Sequence, residues 1–344
     1  MILKIDFRYK LLKPNKDPMN EKCHFLQNFV DSHLFTDYPL RSRIHPLKSY
    51  NTDDLQCYIK RDDELGLMGS KIRKFSSLIS YLIHNQIQKA VVIGGLNSNH
   101  VLGITQLLIE NRISPQLFLC ESHQPIEKGN ALLTRQLIEA EQIHWIPRSQ
   151  WSQINELAEE YAKEQKEKTF VIPEGGCCFE AFPGALTLAL DIVRNEHILG
   201  ASFNHLFIDS GTGLTAIALL LGLAFLKHPA HLHIVLMAGN ETEFRHKLEQ
   251  YHQNFQYLMK TPIPYPIDFS LQRPHKMKSF GSVSPSLFKT IQQIARSEGV
   301  FCDPIYNAKL FQEAARIIQE KQLHGRSLII QSGGTLSLLG FLTP

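Results

Sequence analysis

Short apolar runs alternate with longer amphipathic stretches along the chain from Cys57 onward. Several of these runs are almost wholly apolar, as expected of strands that are covered on both faces of a sheet. The alternation of such strands with helices is typical of an α/β protein with mainly parallel sheets. The pattern predicts strands at 57–60, 89–93, 116–120, 144–146, 169–172, 205–208, 233–237 and 327–331.

Between these runs, apolar residues recur at the spacing of one helix face. The recurring positions are Ile72, Phe75, Leu78, Ile79 and Leu82, then Val101, Ile104, Leu107 and Leu108, and later Leu310, Ala314, Ile317 and Ile318. The apolar run at 216–226 is shorter than the ~20 residues of a membrane span and predicts a buried helix. Residues before about 56 show no clean hydrophobic periodicity, which predicts a partly irregular N-terminal segment. The polar, proline-containing stretch at 241–284 predicts an insertion or a surface excursion.

Composition narrows the functional class. A length of 344 residues suggests about two domains. The formal charge of +3, without a basic cluster, argues against a nucleic-acid binder. The six cysteines are dispersed without a zinc-ligand spacing, which favours reduced thiols and predicts no metal site. Charges throughout the first ten residues argue against a signal peptide, so we expect a soluble, cytoplasmic protein.

Three glycine-bearing turns, at 93–100, 208–215 and 331–335, each follow a predicted strand, where open α/β sheets place their ligands. The second turn is the best candidate anion site. Its glycines allow close approach, the next helix offers free N–H groups, and Thr212 and Thr215 add hydroxyls. It lacks the P-loop lysine and the full dinucleotide spacing, so neither ATP nor a dinucleotide is favoured. The alternative is a glycine-rich turn that binds nothing.

Lys71 lies just after Gly69, where a helix is expected to begin. The positive end of a helix dipole lowers the pKa of a lysine, which suits a Schiff-base nucleophile. The alternative is a solvated basic face that Lys71 shares with Arg73 and Lys74. Taken alone, these residues favour the solvated face.

Bound pyridoxal phosphate requires an amine nucleophile, a turn that holds its phosphate, an Asn/Ser loop and a second loop with a hydroxyl, and the sequence offers all four. Gly69-Ser-Lys-Ile-Arg-Lys74, followed by Gly94-Gly-Leu-Asn-Ser-Asn-His100, resembles the signature of the 1-aminocyclopropane-1-carboxylate deaminase / D-cysteine desulfhydrase family. That family belongs to the tryptophan synthase β-like, fold type II pyridoxal phosphate enzymes. Further blocks resemble the family in order from about residue 43 to the C-terminus, at 129–133, 172–176, 210–213, 303–306 and 332–334.

The resemblance implies a fold with two open, mostly parallel sheets flanked by helices and the cofactor in the cleft between two domains. Residues 1–74 plus 181–344 would form the larger, cofactor-binding domain, and residues 75–180 the smaller α/β domain. It also implies a homodimer that acts on a small amino acid.

The resemblance further implies a role for each matching residue. Lys71 would hold pyridoxal 5'-phosphate as a Schiff base, and Asn99 would bind its phenolic oxygen. Ser332 would face the pyridine nitrogen as a neutral hydroxyl, leaving that nitrogen largely neutral. Ser98 and Tyr306 would contact the substrate, although a helix cap and a packed aromatic are the simpler interpretations. His100 is expected to be structural. The phosphate would lie on Gly211, Thr212, Gly213, Leu214 and Thr215.

Five residues depart from the family pattern. Ser70 replaces an asparagine, Cys177-Cys178 replace Ser-Asn, Asn307 stands where the deaminases carry an acid, and Phe280 stands for a second tyrosine. The last two losses argue against cyclopropane opening but not against β-elimination. The predicted function is deaminating β-elimination, with D-cysteine as the leading substrate, giving a 2-oxo acid, ammonia and sulfide. The alternatives are a 1-aminocyclopropane-1-carboxylate deaminase and a non-catalytic pyridoxal phosphate-binding protein.

Overall fold

A computed structural model describes residues 21–34, 38–122, 128–266 and 268–341. The strands are β1 (Ile44–Pro46), β2 (Leu55–Arg61), β3 (Lys89–Gly95), β4 (Ser114–Cys120), β5 (Ile143–Ile146), β6 (Thr169–Ile172), β7 (His205–Ser210), β8 (His231–Leu236), β9 (Phe269–Gln272) and β10 (Gly325–Gln331). The helices are α1 (Glu21–Asp31), α2 (Lys71–His84), α3 (Asn99–Glu110), α4 (Gly129–Leu137), α5 (Ile154–Glu164), α6 (Phe182–Ala185), α7 (Thr187–Leu199), α8 (Leu214–Leu226), α9 (Glu241–Met259), α10 (Pro285–Glu298) and α11 (Asn307–Glu320).

The strands form two sheets, in the orders β1-β2-β10-β7-β8-β9 and β5-β4-β3-β6. Every pair is parallel except β1 with β2. This arrangement confirms the predicted fold class, and all eight predicted strands are present. The two edge strands β1 and β9 were not predicted. Neither has a fully buried residue, so neither carries the apolar signature of a covered strand.

The four strands of the smaller sheet come from one continuous segment of the sequence. The strands of the larger sheet come from the segments before and after it. The chain leaves the larger sheet after β2, builds β3 to β6 with their helices, and returns at β7. The last strand, β10, lies between β2 and β7. Parallel strands place their carboxyl ends at one edge, so the turns that follow β7 and β10 lie side by side.

The predicted helix faces are confirmed, because every one of the recurring apolar positions in α2, α3 and α11 is buried. The apolar run at 216–226 forms most of α8 and is almost entirely buried. Within the described ranges, no helix is both long and apolar enough to cross a membrane. All six cysteines are free thiols, as their dispersed spacing predicted.

The expectation of an insertion or surface excursion at 241–284 was wrong. This stretch begins with α9, a helix of 19 residues, and continues into β9, which pairs with β8. One face of α9 is buried in the main core through Phe244, Leu248, Tyr251 and Phe255. Those four positions follow helical spacing inside an otherwise polar sequence, and the overall polarity concealed them.

Candidate active site

The beginning of α2 packs directly on the turn after β10. The Ser70 N–H donates to the Ser332 carbonyl at 2.9 Å. A Cβ atom on Gly69 would lie 2.3 Å from that carbonyl oxygen, so only glycine allows this approach. The contact places Lys71, the first residue of α2, beside the Ser332 turn.

Lys71 is half-buried beside the ring of Tyr306 rather than on a solvated face. Its Nζ is 5.6 Å from the centroid of the Tyr306 ring. Burial lowers the pKa of Lys71, and the carboxylates of Asp209 and Asp303 act in the opposite direction.

The alternative of a solvated basic face was wrong, because Arg73 and Lys74 are buried and Lys71 is half-buried. The Nζ of Lys74 donates to the Gly175 carbonyl. Burial, followed by the charge of Lys71, lowers the pKa of Lys74 to about 8. The distant partners that make burial of these cations possible could not be recognised from the local sequence.

The turn between β7 and α8 offers unpaired donors to an anion. Among the described residues, none accepts a hydrogen bond from the N–H groups of residues 211–215. Gly213 has φ of 106°, a conformation that favours glycine. The Lys247 ammonium donates to the Thr212 carbonyl at 3.0 Å, and Gly175 packs against the Thr212 side chain. Free N–H groups at a helix start with a nearby cation suit a phosphate.

Ser98 and Asn99 begin α3 at the opposite side of the same space. Ser98 is the N-cap and accepts the His100 N–H at 3.1 Å, so the capping interpretation is confirmed. Asn99 Oδ1 accepts from Asn130 at 2.7 Å. A Cβ on Gly334 would lie 2.5 Å from Asn99 Nδ2, so Asn99 lies against the turn that carries Ser332.

Tyr306 lies between the β7 turn and Lys71. A Cβ on Gly211 would lie 3.2 Å from the Tyr306 ring, and the ring of Phe280 stands edge-on to it at 6.0 Å. Burial raises the pKa of Tyr306, and the charges of Asp303 and Asp209 raise it further. The phenol therefore keeps its proton at neutral pH.

Asn307 and Asp303 hold the Ser332 turn in place. Asp303 is fully buried and accepts the N–H groups of residues 305–307 together with the Asn307 amide. The same amide donates to the Gly333 carbonyl at 2.6 Å, and its oxygen accepts the Ser332 N–H at 3.0 Å. In the sequence, Asn307 was noticeable only as a departure from the family pattern.

Sequence reasoning missed Asp209. The carboxylate is on the next-to-last residue of β7, and its buried Oδ1 has no hydrogen-bond partner among the described residues. Burial raises the pKa of Asp209 to about 6, although the charge of Lys71 acts to lower it. An acid at the end of an otherwise apolar strand is the signal that could have revealed it.

His100, expected to be structural, is buried and packs against Phe75 and Gly176. Both of its ring nitrogens lack partners among the described residues, and burial lowers its pKa. Cys177, one of the departures, directs its thiol towards the Thr212 carbonyl at 3.7 Å and so contacts the outside of the β7 turn.

These residues fit pyridoxal 5'-phosphate. The free N–H groups at 211–215 suit its phosphate, the half-buried Lys71 with its lowered pKa suits its aldehyde, and Asn99 with Ser332 offers polar groups to its ring substituents. The structure brings all of the predicted site residues to one place between the carboxyl edge of the larger sheet and the beginning of α3.

A family model described as pyridoxal-phosphate dependent enzyme matches residues 38–333. A protein of Pyrococcus furiosus named putative 1-aminocyclopropane-1-carboxylate deaminase is 25% identical over 283 residues, covering 80% of this chain and 84% of that protein. A D-cysteine desulfhydrase of Serratia proteamaculans is 25% identical over 304 residues, covering 83% and 88%. The crystal structure of an ACC deaminase homologue superposes with a TM-score of 0.80 at 22% identity, covering 94% of this chain and 98% of that one.

Proposed function

Because the chain belongs to the family of pyridoxal-phosphate dependent enzymes, we propose that it is a lyase that performs deaminating β-elimination on a small amino acid. With D-cysteine, the Cα–H, Cβ–S and Cα–N bonds break, and one water is consumed to supply the oxygen of the 2-oxo group. The products are a 2-oxo acid, ammonia and hydrogen sulfide. The chain is similar to proteins named for this activity and for 1-aminocyclopropane-1-carboxylate deamination.

Four groups of residues would hold the cofactor. Lys71 would bind it covalently, the N–H groups at 211–215 would hold its phosphate, Asn99 would bind its phenolic oxygen, and Ser332 would face its ring nitrogen. When bound, the cofactor supplies the electron sink that makes the substrate's α-proton acidic.

Lys71 is the proposed base. A lysine can accept a proton only when neutral, and burial lowers the pKa of Lys71 towards that state. Its Nζ therefore takes the α-proton and returns it during the release of products. The Tyr306 phenol, which stays protonated, can donate to the leaving group.

The beginning of α3 is the proposed carboxylate site. Its N-terminal N–H groups and dipole favour an anion, and the Ser98 hydroxyl lies at that end. An amino acid whose carboxylate is bound there has its α-carbon directed towards the space shared by Lys71 and Tyr306.

The hydrogen bonds of Asn307 support the proposal that the protein prefers β-elimination to cyclopropane opening. Its amide is fully buried and is occupied by Asp303, Gly333 and Ser332, so it offers no free group to a substrate. By resemblance, the ring-opening deaminases carry an acid at this position. Here the same position is used to support the Ser332 turn.

Domain limits, assembly and compartment belong to the same proposal. The four-stranded sheet lies between residues 89 and 172, which supports a smaller domain at 75–180 and a larger one from 1–74 plus 181–344. Six free thiols support a reducing, cytoplasmic compartment. The homodimer rests on the family resemblance, and light scattering of the purified protein would test it.

The first test locates the cofactor. Borohydride reduction of the cofactor-loaded protein, followed by peptide mass mapping, should place the label on Lys71. Lys74 is an internal control, because it is also buried and has a lowered pKa. A label on Lys74, or no imine absorbance after cofactor addition, would contradict the assignment.

The second test concerns the reaction. We expect kcat/KM for D-cysteine to exceed that for 1-aminocyclopropane-1-carboxylate, measured by release of the 2-oxo acid. A larger value for the cyclopropane would reverse the ranking. A cofactor attached to Lys71 without turnover of either compound would instead indicate a non-catalytic binding protein.

A further inference from the structure

Asn130, at the beginning of α4, is buried and uses its side-chain amide unequally. Its Nδ2 donates to the Asn97 carbonyl at 3.1 Å and to Asn99 Oδ1 at 2.7 Å. Its own Oδ1 is buried without a hydrogen-bond partner among the described residues. Because an unpaired buried acceptor is costly, the two donated bonds indicate a role for Asn130 beyond the folding of α4.

The Asn97 carbonyl fixes the orientation of both side-chain amides. A main-chain carbonyl can only accept a hydrogen bond, so it must face Nδ2 of Asn130 rather than Oδ1. The same Nδ2 group also faces Asn99, which must therefore present its oxygen. A reversed Asn99 would place two donor groups 2.7 Å apart. The Asn99 amide consequently directs its own Nδ2 away from Asn130.

The Nδ2 group of Asn99 lies against the turn that carries Ser332. A Cβ atom on Gly334 would lie 2.5 Å from this nitrogen. The same turn packs on the residues that precede Lys71, because a Cβ on Gly333 would lie 2.6 Å from Gly69 Cα. In the part of the chain that the structure describes, no group accepts a hydrogen bond from Asn99 Nδ2. An available donor is thus held beside the beginning of α2.

The C-terminal helical turn Thr335–Gly340, which follows Gly334, keeps Asn130 in register with this donor. A Cβ atom on Gly129 would lie 3.0 Å from both Cα and N of Gly340, so the beginning of α4 packs closely on that turn. One segment of the chain therefore contacts Asn99 at one end and the residue before Asn130 at the other.

We propose that Asn130 is a positioning residue that fixes Asn99 so that only a donor faces the phenolic oxygen of the bound cofactor, which keeps this oxygen ionised. The inference rests on the proposed function. An oxygen that accepts a hydrogen bond is favoured without its proton, and the proton then stays on the imine nitrogen of Lys71. A reversed Asn99 would present Oδ1 and favour the protonated phenol.

The first measurement needs no variant. An imine of the cofactor with its proton on nitrogen absorbs at longer wavelength than one with its proton on the phenolic oxygen. We expect the long-wavelength band to predominate in the cofactor-loaded parent protein at neutral pH. Predominance of the short-wavelength band overturns the inference.

The second measurement compares Asn99→Ala, Asn130→Ala and the double variant by their dissociation constants for pyridoxal 5'-phosphate. A residue that acts through Asn99 has no effect once the Asn99 amide is removed. We expect Asn130→Ala to weaken binding about fivefold, the effect of one hydrogen bond, and to increase the short-wavelength band. In the Asn99→Ala background it should change neither.

Either of two results contradicts the proposed role. One is that the losses of affinity from the two substitutions multiply in the double variant. The other is that Asn99→Ala binds the cofactor as tightly as the parent. If Asn130→Ala does not fold, Asn130→Ser takes its place, because the shorter hydroxyl cannot reach Asn99 Oδ1 but can bond within α4.

Thr134→Val is the matched control. Thr134 is also buried in α4, and its hydroxyl donates to the main-chain carbonyl of Asn130 at 2.8 Å rather than to Asn99. The substitution removes a buried hydrogen bond of the same helix, and we expect the affinity and the absorbance of the parent. A loss equal to that of Asn130→Ala would show that Asn130 acts only by supporting α4.

The two proposals fail in different ways. If the cofactor forms no imine at Lys71, the proposed function fails and this inference falls with it. If the cofactor is attached to Lys71 and D-cysteine is consumed, but Asn130→Ala keeps its effect in the Asn99→Ala background, only the role of Asn130 is wrong.

Discussion

Two cations of helix α2, Lys71 and Arg73, are only two residues apart, and their surroundings differ. Arg73 is fully buried and donates to both oxygens of Asp62 and to Asp191, each at 2.7 Å. Lys60 adds a further contact to Asp191 at 2.6 Å. Around Lys71, by contrast, neither Lys71 nor Asp209 forms an ion pair among the described residues, although each feels the charge of the other.

The difference separates two uses of buried charge. Each of the four ionic groups around Arg73 (Lys60, Asp62, Arg73 and Asp191) has at least one ion pair within the group, and these pairs join β2, α2 and α7. Lys71 and Asp209 are only half-buried, and in the part of the chain that the structure describes they are left without an ion pair. Native proteins rarely leave buried polar groups unpaired, so an incomplete set indicates a missing ligand.

Removing the ion pairs of Arg73 should have the largest effect on stability. Arg73→Met leaves two buried carboxylates without their main partner, and we expect a loss of about 3–5 kcal/mol in the free energy of unfolding. Urea denaturation measures it. Arg245→Met is the control, because the Arg245–Glu241 pair is exposed and should contribute less than about 1 kcal/mol. Equal losses in the two variants would contradict the distinction.

Removing the charge of Asp209 should instead stabilise the cofactor-free protein. The pKa of Asp209 is raised from 3.8 to about 6 in the folded state, so its ionisation opposes folding. The penalty is absent below about pH 4, grows as the pH rises, and is complete above about pH 7. Asp209→Asn should therefore gain up to roughly 3 kcal/mol at neutral pH and little under acidic conditions.

Denaturation of the cofactor-free parent and the Asp209→Asn variant across this pH range measures the gain. Asp53→Asn, at an exposed carboxylate, should show no such pH-dependent difference. A destabilised Asp209→Asn protein at neutral pH would show that the carboxylate already has adequate partners.

The smallest expected effect concerns the phosphate turn. Gly213→Val places a branched side chain at φ of 106° and obstructs close approach of the phosphate. We expect the affinity for pyridoxal 5'-phosphate to fall more than tenfold, or about 1.4 kcal/mol. Gly200→Val, at φ of 71° with open space around a Cβ, introduces comparable backbone strain at the end of α7. Equal affinity in the two variants would place the phosphate elsewhere.

Much of the fold could be predicted from local patterns. The strands with two covered faces are continuous apolar runs, and the faces of α2, α3 and α11 follow helical spacing. The edge strand β9 could not be recognised, because all four of its residues are only half-buried. The helix α9 was missed because its buried face is narrow and its remaining positions are polar.

The site could be predicted in part for a similar reason. Glycine turns after strands are local signals, so Gly69, Gly213 and the Ser332 turn were found. The burial of Arg73 was not found, because its partner Asp191 is 118 residues away in the sequence. The role of Asn307 depends in the same way on Ser332, 25 residues further along. Partners of this kind are brought together only by the tertiary fold.

The position of β10 has a consequence for synthesis on the ribosome. Ser327 of β10 bonds to a residue made 270 positions earlier, and Arg326 to one made 122 positions earlier. The smaller sheet uses only strands between residues 89 and 172 and can form while later segments are still being translated. Strands β2 and β7 must wait for β10 to emerge and fill the gap between them. A nascent chain therefore exposes two unpaired strand edges until its final stretch arrives, and it acquires the cofactor pocket last.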